Sequence, residues 1–188
     1  MLIPFGVFSA AGSGGGAAAG AYELIESQIL TGTSGSITFS SIPSTYKHLE
    51  IRAVTRTNRA NTKEDFGMRL NSDSATNYSW HYLDGGGASV ASSGGATQNV
   101  MYVGFGTPAS TETANIFGAS ITSILDYAST AKYKTIRTLY GTKGGTPDIA
   151  LISGNWRSTA AVTSVTLLPM QTGSFVSGSR FSLYGIKG

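Results

Sequence analysis

The chain has 188 residues, enough for one compact domain plus an extension, and its 13 basic and 10 acidic side chains leave a formal charge of +3. Charged residues make up only 12% and cysteine is absent, which excludes disulfides, thiolate metal sites and thiol catalysis. It also argues against nucleic acid as a partner, because a phosphate backbone demands clustered Lys and Arg.

In chain order the first element is an apolar head, residues 1–8, carrying Ile3, Phe5, Val7 and Phe8. No Lys or Arg precedes Lys47, and Pro4 and Gly6 interrupt the apolar run. A secretory signal therefore does not fit, nor does a membrane span of roughly 20 residues, and no membrane insertion is expected. A Gly/Ala/Ser tract follows at 9–21, a tether with a span of roughly 20 Å. Within it Gly12, Gly14 and Ala17 loosely match a dinucleotide fingerprint, but no buried strand precedes them and no helix pattern follows. Because disordered tails are seldom this apolar, the head makes sense if Ile3, Phe5, Val7 and Phe8 dock into something else. The chain thus divides into an anchor and tether, 1–21, and a β domain, 22–188.

From residue 22 onward the pattern is strands and turns. The 25 Gly, 25 Ser and 22 Thr disfavour helices and suit short strands with tight turns. Strands are predicted at 22–30 and 36–41 as an opening pair, then at 48–57, 66–71, 78–83, 99–105, 116–127, 133–140, 149–156, 162–168 and 180–187. The third alternates cleanly, with Leu49, Ile51, Ala53 and Thr55 on the core face and Glu50, Arg52, Val54 and Arg56 on the other. In the fourth, Phe66, Met68 and Leu70 share a face. The Gly-rich stretches 84–89 and 92–96 read as loops bracketing a mobile region. This many short strands without a repeat predict an all-β fold, a sandwich or jelly roll.

No motif carries catalytic chemistry. His48 and His81 lack neighbouring metal ligands, and a triad of His81, Asp84 and a serine lacks any nucleophile elbow. Glu64, Asp65 and Asp73 offer oxygens for calcium or a carboxylate pair, but a solvated turn explains them better. Arg52, Arg56, Arg59 and Lys63 read as a basic strand edge or loop. The segment after Leu168 departs from a cell-wall sorting signal by one extra residue and has no hydrophobic tail. The richest cluster is Tyr78, Trp80, His81 and Tyr82. Three large rings on one strand face are expected in the core or at a subunit interface, with a sugar-stacking platform as the alternative. No enzyme activity, cofactor or metal is expected.

Several stretches together resemble small virion proteins of phages and prophages, especially from aquatic bacteria, of the fibre, tail or decoration type. They are Met1-Leu-Ile-Pro-Phe-Gly with its tether, Tyr22-Glu-Leu-Ile-Glu-Ser, Ile37-Thr-Phe-Ser-Ser-Ile-Pro and Tyr46-Lys-His-Leu-Glu-Ile-Arg. Further on come Asn77-Tyr-Ser-Trp-His, Ile116-Phe-Gly-Ala-Ser-Ile, Asp126-Tyr-Ala, Lys132-Tyr-Lys-Thr-Ile-Arg and the segment 178–187. The resemblance implies a single jelly-roll-like β-sandwich, non-enzymatic and a homotrimer, located in the virion. It implies attachment to the particle by the N-terminus without saying where; the apolar head of Ile3, Phe5, Val7 and Phe8 is the expected anchor, on tail, neck or capsid proteins. The alternative role is a carbohydrate-binding module that recognises a host surface glycan through Tyr78–Tyr82.

Overall fold

The computed structural model describes residues 20–143 and 148–188. The head and its anchoring candidates Ile3, Phe5, Val7 and Phe8 lie outside the described residues. Among the latter no helix occurs, and 12 strands form a two-sheet β-sandwich. They are β1 (Tyr22–Ile29), β2 (Ile37–Phe39), β3 (His48–Thr55), β4 (Lys63–Leu70), β5 (Tyr78–Gly86) and β6 (Ser89–Gln98), then β7 (Met101–Pro108), β8 (Gly118–Leu125), β9 (Lys134–Thr142), β10 (Asp148–Trp156), β11 (Val165–Pro169) and β12 (Arg180–Ile186).

The alternation of β3 decides its orientation. Leu49, Ile51, Ala53 and Thr55 are buried, while Arg52 and Val54 point out. Phe66, Met68 and Leu70 of β4 face them from the other sheet, fully buried. Burying each such side chain contributes roughly 1.5–3 kcal/mol, and period-two spacing lets each strand do so while its other face meets water or a partner. Packing tolerances are tight where the strands of the small sheet meet. A Cβ on Gly104 would stand 1.7 Å from the Phe66 ring, so only glycine fits opposite that phenyl.

The large sheet runs β1-β12-β3-β8-β9-β10-β5-β6 and the small one β2-β11-β4-β7, antiparallel throughout. Setting aside the hairpins β5–β6 and β9–β10 leaves eight strands with a simple rule. The first pairs with the last, β1 with β12; then β2 with β11, β3 with β8 and β4 with β7. The chain is one long antiparallel ribbon rolled into two layers, and the two hairpins widen the larger layer.

Two expectations need correction. β1 and β2 are not a pair: they sit in different sheets, because Ile37 and Phe39 bury against the core only when β2 joins β11. The Gly-rich stretches 84–89 and 92–96 are not loops but lie within the β5–β6 hairpin. Its two-residue connection has Gly87 at φ +61°, the conformation that hairpin turns assign to glycine. Gly94 lets the strands close up, since a Cβ there would lie 2.9 Å from the His81 ring and 3.0 Å from the Trp80 carbonyl. β6 gave no periodic signal because it buries no apolar face; eight of its ten residues are exposed.

One side chain gathers four carbonyls of the loop between β7 and β8. Arg56 donates from both terminal nitrogens to four backbone carbonyls, those of Thr113 and Ile116 (2.8 and 2.9 Å) and those of Ala109 and Glu112 (both 2.8 Å). Its planar fork suits this better than a lysine would.

Candidate functional site

The structure divides the aromatic cluster between two faces of β5. Tyr78 is fully buried, and its hydroxyl accepts from the Leu70 N–H at 2.9 Å. Burial pushes that phenol up to about 12. Trp80 and Tyr82 point the same way and are half-buried. Trp80 meets Tyr102 edge-on with centroids 4.4 Å apart, and Tyr82 leans on Phe105 at 4.7 Å. These rings close the end of the sandwich where the large sheet overhangs the small one, so they act as packing. His81, of opposite parity, stands on the outer face.

The other polar candidates have structural work. His48 accepts at Nδ1 from the Asp126 N–H at 2.9 Å. His81 and Asp84 cannot meet, because residues three apart on a strand point to opposite faces. Glu64 and Asp65 are not in a solvated turn: they lie within β4, Glu64 buried, and accept from the backbone N–H groups of Gly173 and Gly106 respectively, both at 2.9 Å. Burial raises the pKa of Asp65 against its bond from Gly106. Asp73 accepts from Asn77, from the Trp156 indole and from the Ala75 N–H. Among the described residues no group of three or more His, Asp or Glu side chains is placed to hold a metal ion. Of the basic residues, Arg59 donates to the Lys63 carbonyl and Lys63 pairs with Asp148 at 3.1 Å. Arg52 pairs with Glu50 at 2.9 Å. They form no free basic stripe of the kind a polyanion needs.

What sequence reasoning missed is the outer face of the large sheet. There Ile121 of β8 faces Leu139 of β9, Leu139 faces Leu151 of β10, and Leu151 faces Leu83 of β5. Each is 45–57% exposed. Together they make a ridge of four apolar side chains across four central strands. Directly opposed residues lie about 4.5–5.5 Å apart, so the ridge is continuous.

Grooves flank it. On one side the next row is Ser123, Arg137, Ser153 and His81, and the hollow there measures about 490 Å³. On the other side Ala119 and Gly141, with Ile149 beside them, leave a hollow of about 260 Å³. Val54, Ile149 and Val90 add further exposed apolar area. Among the described residues no carboxylate lines either groove.

The sign of this site lay in β10. Its run Ile149, Ala150, Leu151, Ile152 is apolar on both faces, and such a run reads as a strand covered on both sides. Only the register shows that four neighbouring strands share the excess in one row. No family model matches the chain, and no curated protein or solved structure matches it either.

Proposed function

We propose that the protein is a non-enzymatic structural component of a bacteriophage particle, a homo-oligomeric jelly roll anchored by its N-terminal head. The observation that carries this reading is the rolled ribbon, with first strand against last and each inner pair following. Two Greek keys in two sheets are the arrangement used by viral capsid and lectin domains. Fold alone does not assign function. The apolar head at 1–8 and the resemblance of the dispersed motifs to virion proteins supply the rest. A trimer is the oligomer that the resemblance implies.

The head's role follows from its composition. Ile3, Phe5, Val7 and Phe8 each gain roughly 1.5–3 kcal/mol on full burial, against an ordering cost of about 1–2 kcal/mol per residue. Docking therefore needs a preformed groove or several chains sharing the burial, as a symmetric attachment point on tail, neck or capsid provides. Deleting residues 1–8 is expected to leave the β domain folded while the protein disappears from purified particles. Particles with a full complement of the truncated protein would move the anchor onto the sandwich and favour capsid decoration.

The second reading, glycan recognition, draws on Trp80 and Tyr82, whose rings stack at 5.9 Å. Their packing on Tyr102 and Phe105 leaves less ring face for a sugar, which favours the first reading. A glycan array in which wild type binds and Trp80→Ala does not would reverse that preference.

A further inference from the structure

We infer that the outer face of the large sheet, centred on Ile121, Leu139, Leu151 and Leu83, is where a second copy of this chain docks. This rests on the oligomeric part of the reading above and names one surface; because each copy fills the other, the contact is two-fold and closes a pair of chains rather than the trimer that the resemblance implies.

Three observations identify the occupant. The first is shape. A ridge one row wide lies between two flanking rows, one with Ala119 and Gly141 side by side and the other with Arg137 between Ser123 and Ser153. Rows on one face of a strand repeat every ~6.8 Å. Shifting one copy against another by one row, toward Ala119 and Gly141, therefore seats the ridge of each on the small residues of the other and leaves Arg137 at the rim. A surface carrying both halves of a fit on one face is self-complementary.

The second is chemistry. The centre is apolar with a hydroxyl and cationic rim, and among the described residues no carboxylate lines it. A polyanion would need more cations than Arg137 and His81 provide. A sugar would need a denser set of hydrogen-bonding groups than two serines and an arginine.

The third is size. The strands β8, β9, β10 and β5, with half of each neighbour, span about 24 Å at ~4.8 Å spacing, and three rows cover about 20 Å. The flat footprint is then about 480 Å² per copy, so a pair buries about 960 Å², the small end of specific interfaces, which clear about 1,000 Å² in total. An isolated sheet face of Leu and Ile packs against its like at about 10 Å, as in the interior of a sandwich.

The test is mass in solution by light scattering and sedimentation on the full-length chain, with circular dichroism as the folding control. Wild type is expected as an oligomer of the 19.5 kDa chain at micromolar concentration. L139T/L151T is expected to weaken association by at least about 100-fold with an unchanged β spectrum. Ser153→Arg removes nothing from the core and sets a second bulky cation beside Arg137 against the ridge, so it guards against misfolding of the double variant and is expected to dissociate the oligomer as well. Leu24→Thr, on the same face but three strands from the ridge, is expected to keep the wild-type mass.

A wild-type monomer at micromolar concentration would overturn the inference, as would an oligomer untouched by L139T/L151T and Ser153→Arg. If instead Phe5→Ser with Phe8→Ser dissociates the oligomer while those two variants leave it intact, the contact belongs to the head. Particle incorporation is scored separately, so an oligomer that never enters particles would refute the virion reading and leave this interface standing.

Discussion

Arg52 and Ile121 sit opposite each other on adjacent strands, and between them the outer face of the large sheet changes character. On the side of β3, β12 and β1, the row through Arg52 is a network of polar partners, with Leu24 and Val54 standing singly around it. Arg52 lies 5.5 Å from the Tyr22 ring and 4.9 Å from that of Tyr184 while bonding Glu50. Tyr22 donates to Glu50 at 3.2 Å, and Ser27 and Ser182 share a hydrogen bond at 2.8 Å. On the side of β8, β9, β10 and β5 the matching positions are Ile121, Leu139, Leu151 and Leu83, each about half exposed among the described residues. One half of the face is finished with its own side chains; the other leaves its apolar surface for a second layer. The difference separates a solvated face from an interface better than hydrophobicity alone, since Leu24 and Tyr22 are also half exposed and single exposed apolar residues are ordinary.

The comparison breaks most visibly on β10, where neighbours point opposite ways. Ile152 is 2% exposed and Leu151 57%. Ile152→Ala is expected to cost about 2–5 kcal/mol, and Leu151→Ala under about 0.5 kcal/mol in the isolated subunit. Chemical denaturation at low protein concentration reads both, and equal losses would mean that Leu151 is already covered within its own chain.

A smaller effect concerns concentration. If the apolar half is an interface, the wild-type melting temperature rises over a hundredfold increase in protein concentration, by mass action. Leu139→Thr is expected to flatten that dependence, and a flat wild-type profile would count against a shared face.

On the polar half, Arg52→Ala removes two ring contacts and the ion pair to the buried Glu50, for at least about 1 kcal/mol. That is roughly 2–4 °C in a domain of this size. The mass of the oligomer should not change, and dissociation of Arg52→Ala would extend the interface across the whole face.

The smallest effect is with acid. Hydrogen bonds from Lys132 and then Lys47 hold the carboxyl of Asp126 below its ordinary value. A carboxylate so depressed stabilises the fold above its unfolded pKa, and the contribution is lost as pH falls through the lower folded pKa. The difference in melting temperature between wild type and Asp126→Asn should be greatest near pH 6 and shrink toward pH 3. A difference that stays constant over that range would assign the effect to something other than ionisation.

Much of the fold was legible because period-two patterning is local. Leu49, Ile51 and Ala53 fixed the inner face of β3, and Phe66, Met68 and Leu70 that of β4. The pairing of strands was not legible: whether Ile37 and Phe39 join β1 or β11 depends on partners far along the chain. β6 escaped because Gly, Ser and Ala have no side chain to reveal a face. The candidate interface escaped for a related reason. Leu83, Ile121, Leu139 and Leu151 are unremarkable one by one on four separate strands, and only antiparallel register brings them into one row.

The rolled ribbon also sets an order of events for the nascent chain. β12 lies between β1 and β3 in the large sheet, although some 120 residues or more separate it from either in sequence. Until Arg180–Ile186 has emerged from the ribosome, β1 has no strand to pair with and β3 has a bare edge. β11, likewise late in synthesis, must slot between β2 and β4. Closing such distant pairs costs entropy before any contact rewards it. Folding is therefore expected to be slow and to await Arg180–Ile186, with the local hairpins β5–β6 and β9–β10 forming first. A chain stalled before residue 180 would expose unpaired strand edges and be vulnerable to aggregation.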